Sequence, residues 1–325
     1  MTLAQLQTYI VGVLQGYFPN KAVLDKLSEN IDGTLLFDGK QISGGTIVTD
    51  SEVQQAIADT LAELGLANEI VEASVATFAA LQDAIANGAN AITITEPLEI
   101  TQDTYLRSDT PVAIATSVAD AFTVTKGTLT IGENIKMTSD ISLLYAKNGG
   151  SIVVDGATLV NASTEECLGA VGADSTFIMK SGTMISEGSV IAALGSNGRF
   201  VMTGGTIETV GGTEENPYCA VFAYDNAVAE ITGGSVNAAL GYGLIASVKG
   251  TVKVSGGTVD GVKAHNGSSA VAEICGGTIH GKIATEDEAV LTVTGGTFDV
   301  DPSEYVAKDC TVVSSNGTYT VVKNA

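Results

Sequence analysis

A short phrase recurs seven times between Ile152 and Phe298: alternating apolar residues, two small residues, a Thr or Ser, and another apolar residue. The first clear copy reads IVVDGATL from Ile152, and the last reads LTVTGGTF from Leu291. The second small residue of each copy serves as the anchor of the alignment. Because the anchors are separated by 19 to 29 residues while the phrase stays constant, the strands are fixed and the loops vary in length. The anchors are Ala157, Gly182, Gly205, Gly234, Gly257, Gly277 and Gly296.

Two columns of this alignment are wholly apolar, and they follow the period of two that a half-buried strand requires. No single copy can bury its apolar side alone, but stacked copies about 4.8 Å apart satisfy the backbone and enclose one interior. The pattern therefore predicts an all-β solenoid, a parallel β-helix. The column two residues after the anchor contains Leu159, Met184, Ile207, Val236, Val259, Ile279 and Phe298, and the column three before it contains Val154, Met179, Met202, Ile231, Val254, Ile274 and Val293.

The small pair before each Thr or Ser fits a tight corner, because Gly adopts positive φ and lets neighbouring coils approach. A propeller would need four strands in blades of about 40 residues, and a leucine-rich repeat would need its ladder of Leu and Asn. Neither pattern is present.

The N-terminal part differs from the repeats. Residues 1–50 are expected to form a separate attachment module with a helix at Leu3–Leu14 and a small hairpin around Thr34–Phe37. Residues 51–70 are expected to form a linker helix with an apolar stripe at Val53, Ile57, Leu61 and Leu64. This stripe suits packing within its own domain and a threefold bundle equally well.

The β-helix is expected to span residues 71–325. An amphipathic helix at 77–88 is expected to cap its first coil, because the end of a solenoid exposes apolar groups. Residues 301–325 break the repeat at Pro302 and predict a hairpin around Asn316 and Gly317 that covers the last coil.

Charge limits the class of partner. The net charge is −22 and the chain has only two arginines, Arg107 and Arg199, which argues against binding to nucleic acid or to an anionic membrane surface. We expect the acidic surface to keep a sheet-rich protein soluble and to discourage pairing of sheet edges. The first residues do not read as a secretory signal, and no stretch reads as a transmembrane helix.

We expect no cofactor and no metal. The four cysteines Cys167, Cys219, Cys275 and Cys310 lack metal-ligand spacing, and a disulfide would require that neighbouring coils bring two of them together. The acidic run Glu286–Glu288 and the loop Gly211–Pro217 are interpreted as solvated turns, with calcium binding as the alternative.

Two resemblances follow from these residues. The span from Thr77 to Phe298 resembles the right-handed parallel β-helices of the pectate-lyase-like superfamily, and the segment Gly295–Val306 is similar to repeat-rich surface proteins of gut Firmicutes and their phages. The segment Asn20–Lys40 resembles the N-terminal attachment segment of phage fibre or tail-associated structural proteins. These resemblances imply a right-handed β-helix, here of about nine to eleven coils, in a virion appendage that is assembled in the host cytoplasm as a homotrimer. They also imply contacts with other virion proteins through Leu24, Leu27, Leu35, Leu36 and Phe37.

One column of outward positions is a candidate for acid/base chemistry. Three residues after the anchors, the last coils carry Asp260, His280 and Asp299, so stacking would place an imidazole between two carboxylates. Such a trio can perform general acid/base work on a sugar polymer. The alternative is that outward positions are polar by default. Pectate-lyase-like enzymes combine a carboxylate cluster with a basic residue, and neither Arg107 nor Arg199 stands near a matching trio, so those catalytic residues do not carry over.

Aromatic residues mark a second candidate. Tyr218 and Tyr224 lie within the longest interval between anchors and Tyr242 follows it, so that rings beside an inserted loop can stack on sugars of the host surface. The alternative interpretation places Phe222 in the core and the tyrosines at corners.

Three functions remain open at this level. The first is a structural or receptor-facing fibre of a phage particle, anchored by its N-terminus and without enzymatic activity. The second is a polysaccharide-degrading enzyme of the same fold, and the third is a bacterial surface adhesin.

Overall fold

The computed structural model describes residues 70–324, apart from residues 214, 216, 266 and 268, together with three short strands nearer the N-terminus. The chain divides into two compact units, Met1–Ile70 and Val71–Ala325. In the first unit, Leu27–Glu29 pairs antiparallel with Leu35–Phe37, which pairs antiparallel with Lys40–Gln41.

The predicted attachment residues Leu27, Leu35, Leu36 and Phe37 lie in these short strands. Leu24 and the helices predicted at residues 3–14 and 51–64 lie outside the described residues.

The second unit is a parallel β-solenoid of the right-handed type with about ten turns and little helix, which confirms the prediction of an all-β solenoid. Each complete turn contributes a strand to three ladders, which we name face A, face B and face C in the order in which the chain visits them. The segments between them are named corner AB, corner BC and corner CA.

Several long strands pass around a corner and belong to two faces. Face A contains Glu72–Val75, Ala91–Ile94, Val112–Thr116, Ile135–Ser139, the ends of Ser151–Asn161 and Thr176–Ser186, Thr206–Thr209, Ser235–Ala238, the start of Thr258–His265, the middle of Val271–Thr285 and the end of Val290–Phe298. Face B contains Leu98–Ile100, Phe122–Val124, Leu144–Ala146, Gly169–Val171, Ile191–Leu194, Val221–Tyr224, Leu244–Ser247 and the ends of Thr258–His265 and Val271–Thr285. Face C contains Thr104–Leu106, Thr128–Ile131, the starts of Ser151–Asn161 and Thr176–Ser186, Arg199–Met202, Val228–Ile231, Thr251–Val254 and the starts of Val271–Thr285 and Val290–Phe298.

The predicted apolar columns form the core. Leu159, Met184, Ile207 and Val236 are direct register partners in successive coils of face A, and the column continues through Val259, Ile279 and Phe298. None of these side chains is more than 1% exposed. Because each one removes a large aliphatic or aromatic surface from water, each stabilises the fold by roughly 1.5–3 kcal/mol before entropy is subtracted.

The glycine pairs lie at corner CA, where consecutive backbones touch. Gly205, Gly234 and Gly257 have φ values of 81°, 83° and 77°. A Cβ on Gly234 would lie 2.6 Å from the carbonyl oxygen of Gly205, and one on Gly257 would lie 2.6 Å from that of Gly234. In the first copy the positive φ moves one residue earlier, to Gly156, which leaves Ala157 free of that constraint.

Corner BC makes its tight turns with residues other than Gly. Its turns place non-glycine residues in the left-handed region, mostly Asn and Asp, which tolerate it. Val248 and Glu288 are the exceptions, and Val248 has a φ of 57° despite its branched Cβ. The left-handed residues of this corner are Asn148, Asp174, Asn197, Asp225, Asn226, Val248, Asp287 and Glu288.

Corner AB begins with a buried polar column that the sequence reasoning missed. Thr116, Ser139, Asn161, Ser186 and Thr209 are register partners at the end of face A, and each is at most 6% exposed. Four of them accept a bond from the backbone N–H two residues later, as when Asn161 Oδ1 accepts from the Ser163 N–H at 2.9 Å. These side chains replace the ladder partners that the backbone loses as it leaves the strand.

Both ends of the solenoid carry additional elements. The helix Phe78–Ala86 starts at Thr77, whose side chain accepts a bond from the Ala80 N–H, and it buries Leu81. At the other end a 3-10 turn, Ser303–Tyr305, precedes the antiparallel strands Cys310–Ser315 and Thr318–Lys323. Thr318–Lys323 pairs with Gly296–Phe298 and buries Val321.

Substituting Gly234 with Ala should destabilise the protein by roughly 3 kcal/mol, because the new methyl group meets the Gly205 carbonyl and the backbone conformation is left-handed. Gly281→Ala is the matched control. Gly281 also has a positive φ, 71°, but no atom lies within 4 Å of its added Cβ. It should lose only about 1–2 kcal/mol. Urea unfolding followed by circular dichroism measures both, and equal losses would refute the proposed contact.

Replacing Val248 with Asn should raise the free energy of unfolding by about 1 kcal/mol, because Asn adopts the left-handed region more readily than a β-branched residue. Val210→Asn is the control, since Val210 is a corner residue that lacks a positive φ. Thermal unfolding should show a higher melting temperature for the first variant alone. An unchanged or lower value would contradict the assignment of strain to Val248.

Candidate functional site

The structure gathers five of the predicted site residues along corner AB in the later coils. We name Tyr218, Tyr242, Asp260, His280 and Asp299 the corner ridge. The Ala220 N–H donates to the Tyr242 carbonyl at 3.3 Å, so the segments that carry the two tyrosines lie side by side. Tyr242 Cδ1 lies 3.1 Å from where a Cβ on Gly261 would stand, directly after Asp260.

The lower half of the ridge is polar. Asp260 and His280 are register partners at the end of face A, and His280 Nδ1 lies 3.2 Å from Asp299 Oδ2. Asp299 Oδ1 accepts a bond from the Gly281 N–H at 2.8 Å, and Asp260 Oδ2 accepts one from the Ala238 N–H at 3.2 Å. Each carboxylate is therefore held by the backbone of the preceding coil.

The contact with Asp299 determines which imidazole nitrogen of His280 is available as an acceptor. His280 and Asp299 are about half exposed, with side-chain exposures of 51% and 49%. When the Nδ1–H donates to Asp299, the imidazole Nε2 is left as the acceptor. The same column continues upward through Asn237, Glu208 and the apolar pair Ile185 and Val160, so an imidazole next to carboxylates occurs in this column only in the last coils.

The upper half of the ridge is aromatic and apolar. Tyr218 and Tyr242 are half-buried, and two exposed aliphatic residues accompany them: Val210, 41% exposed, and Leu240, 50% exposed. The Ala239 N–H donates to the Thr209 carbonyl, which places Val210 and Leu240 in adjacent coils. The inserted loop closes beside them through a bridge between Gly212 and Pro217.

Lys263 lies beside the Tyr242 ring and affects the pKa of its hydroxyl. Burial raises the pKa of the Tyr242 hydroxyl, and the positive charge of Lys263 opposes that shift. Lys263 Nζ lies 5.7 Å from the centre of the Tyr242 ring and 2.9 Å from Glu286 Oε2. The hydrogen bond and charge of Lys263 lower the pKa of Glu286. Glu286, which belongs to the acidic run Glu286–Glu288 considered for calcium, is thus paired with Lys263.

Tyr224 lies elsewhere. It ends the strand Val221–Tyr224 at corner BC, where its ring stacks on Phe222 with centroids 5.9 Å apart. Phe222 is half-buried and faces outward between Ala192 and Ile245, whereas Val221 and Ala223 are fully buried. The interpretation of Phe222 as a core residue was therefore wrong.

Charge is distributed unevenly among the corners. In the segments that connect face A to face B, Lys282 is the only Lys or Arg, and the last turn after face A adds Lys308. The mean field along this corner is therefore negative. The acidic residues of these segments and of the last turn after face A are Glu96, Asp120, Asp140, Glu165, Glu166, Glu187, Glu214, Glu215, Asp299, Asp301, Glu304 and Asp309.

The arginines and two surface cavities lie outside the ridge. Arg107 lies 5.4 Å from the centre of the Tyr105 ring, and both line a cavity of ≈ 410 Å³ near the N-terminal helix. Arg199 pairs with Glu230 on face C, where a second cavity of ≈ 530 Å³ includes Glu230. The structure thus brings neither arginine to Asp260, His280 or Asp299.

The four cysteines are free thiols, which answers the question of disulfides that the sequence left open. Burial raises the pKa of Cys167 to about 12 and that of Cys219 to about 11. Both thiols therefore stay protonated near neutral pH and are poor nucleophiles.

Within the described residues, no three or more His, Cys, Asp or Glu side chains are placed to share a metal ion. In the same part of the chain, no helix has the length and apolar character needed to cross a membrane.

Comparison with known proteins gives no assignment. No protein-family model matches the chain, no curated protein matches it, and no solved structure matches it. The function must therefore be argued from the geometry and from the resemblances in the sequence.

Proposed function

We propose that the protein is a structural fibre of a bacteriophage particle, anchored through its N-terminal residues and projecting the solenoid outward. The observation that carries the proposal is the unbroken core. Apolar residues are buried from Val75 in the first coil to Phe298 in the last, and three hydrogen-bonded ladders enclose them. Because bending would open ladders and core together, such a solenoid is stiff, which suits a spacer.

The two ends support the same proposal. The helix Phe78–Ala86 and the hairpin of Cys310–Ser315 with Thr318–Lys323 lie at opposite ends of the stack of coils. Elements that cover sheet ends prevent uncontrolled pairing with other chains. A projecting rod needs that protection, because its ladders would otherwise extend into fibres.

The resemblance of Asn20–Lys40 to phage attachment segments supplies the location on a virion. The homotrimer and the contacts of Leu24, Leu27, Leu35, Leu36 and Phe37 with other virion proteins belong to this proposal as well.

Antibodies raised against the purified protein should label virions from the bacterium that produces it, and a chain that lacks residues 1–50 should not be incorporated into them. The chain of residues 1–325, of mass 33.0 kDa, should sediment as a trimer. Tyr105→Ala, at an exposed position on face C, is the control and should leave incorporation intact. Labelling of cells that release no particles would favour the adhesin and overturn the proposal.

The contact between His280 and Asp299 favours a second candidate function, cleavage of a polysaccharide. When the Nδ1–H of His280 donates to Asp299, Nε2 is left to act as a base, and Asp260 supplies a carboxylate one coil above. The sugar polymer would lie across these rungs, with a carboxyl group and the imidazole exchanging protons with the leaving oxygen and water.

If this second function holds, His280→Gln should reduce polysaccharide turnover at least 100-fold, in line with the usual contribution of a general base. Reducing-end assays on capsular and cell-wall polysaccharides measure the turnover. His265→Gln is the matched control, because His265 lies at the far end of face B. Equal rates for wild type and H280Q would eliminate the catalytic function.

A further inference from the structure

We propose that the corner ridge binds a glycan that carries protonated amino groups, with the glycan chain lying along the solenoid axis. The inference rests on the proposed function, since it names the class of surface polymer that the fibre would contact. It concerns binding and requires no bond to be broken.

The shape of the ridge favours an extended polymer. Its five residues come from successive coils, and successive coils are about 4.8 Å apart in a parallel ladder. Tyr218 and Tyr242 occupy neighbouring coils, Asp260 and His280 are register partners, and Asp299 bonds to both His280 and Gly281. Contacts repeated at each coil suit a ligand that is itself a chain of repeating units.

The charge of corner AB favours a cationic ligand. Lys282 is the only Lys or Arg in the segments that connect face A to face B, and Lys263, beside the Tyr242 ring, is paired with Glu286. The whole chain carries a net charge of −22. A uronate polymer would be repelled by such a surface, whereas amino groups would be attracted over roughly the Debye length of 10 Å at 0.1 M salt.

The carboxylates of Asp260 and Asp299 are held in position before any ligand binds. Backbone N–H groups of Ala238 and Gly281 hold Asp260 and Asp299 in place, so little side-chain entropy is lost when a ligand binds. Each carboxylate oxygen can accept a further hydrogen bond beyond the one that fixes it. An ammonium group donates three such bonds, which makes the two chemistries complementary.

The aromatic half distinguishes a sugar from a basic peptide. Half-buried Tyr218 and Tyr242 offer ring surface to the apolar faces of pyranose rings. An extended peptide would instead seek an open sheet edge, and at the ridge the strand partners of face A lie within the stack between neighbouring coils. The observations therefore favour the glycan.

The test uses the chain of residues 1–325 and isothermal titration with a glucosamine hexasaccharide. We expect binding that weakens with added salt and at least about fivefold weaker binding of the N-acetylated hexasaccharide, which has lost its charges. Tyr242→Ala should weaken binding about fivefold through lost stacking. The double variant Asp260→Asn and Asp299→Asn should weaken it further, while each Asn oxygen still accepts the backbone N–H that anchors the side chain.

Tyr105→Ala and Asp225→Asn are the controls, because Tyr105 is exposed on face C and Asp225 lies at corner BC. Both should bind as wild type does, and circular dichroism should show the same melting curve for every variant used.

The proposal is overturned if the glucosamine hexasaccharide does not bind, if the acetylated form binds equally, or if the ridge variants bind as the controls do. Tighter binding of hexalysine, lost in the same variants, would identify a basic protein segment instead and would also overturn it. None of these results alters the labelling of virions, so failure here is distinguishable from failure of the proposed function.

Discussion

The backbone hydrogen bonds between successive coils impose one register on the whole solenoid, and every other feature depends on it. A strand of face A can slip by one residue only by turning its whole inward column toward water. The aliphatic columns prevent this, because Leu159, Met184 and Ile207 would leave the core together. At corner CA the same register requires Gly, since each backbone lies against the carbonyl of the coil before it.

Register also explains why surface chemistry on this fold comes in columns. Any outward position repeats at the coil spacing, so neighbouring rungs place their side chains together without a pocket. Asp260, His280 and Asp299 meet in this way, and so do the segments bearing Tyr218 and Tyr242. A surface built like this favours long, repetitive ligands over compact ones, because it offers many similar contacts along a line.

The three corners differ in the residue types and loop lengths that they tolerate. In the repeats from Gly182 onward, corner CA is confined by backbone contact and tolerates little beyond Gly, whereas an earlier coil passes it with residues 107–111. Corner AB begins with buried side chains such as Asn161 and Ser186, which close the turn locally and satisfy the backbone. Because that turn is satisfied from within, the residues beyond it are free to vary in length and charge, as in the loop Gly211–Pro217. Loops carried on a rigid scaffold are the usual place for binding. Tyr218, Tyr242 and Asp299 lie in such segments, whereas Asp260 and His280 lie at the ends of face A strands.

The column of Asp260, His280 and Asp299 was predictable from the spacing of the repeat, because one alignment of the anchors specifies every position near corner CA and along face A. The placement of Tyr218 and Tyr242 beside it was not, since loop length alone does not say to which corner a residue returns. The sequence could not orient Phe222 either, because its strand is apolar on both sides.

The sequence by itself determined the solenoid, its inward columns and its glycine corners, because these depend on a periodicity that any correct register must satisfy. Only the tertiary structure decided which outward residues share a corner, that Tyr224 stands apart from the other tyrosines, and that acidic residues collect along corner AB. Those relations join residues far apart in the chain through coil stacking and loop closure, and no local pattern in the sequence records them.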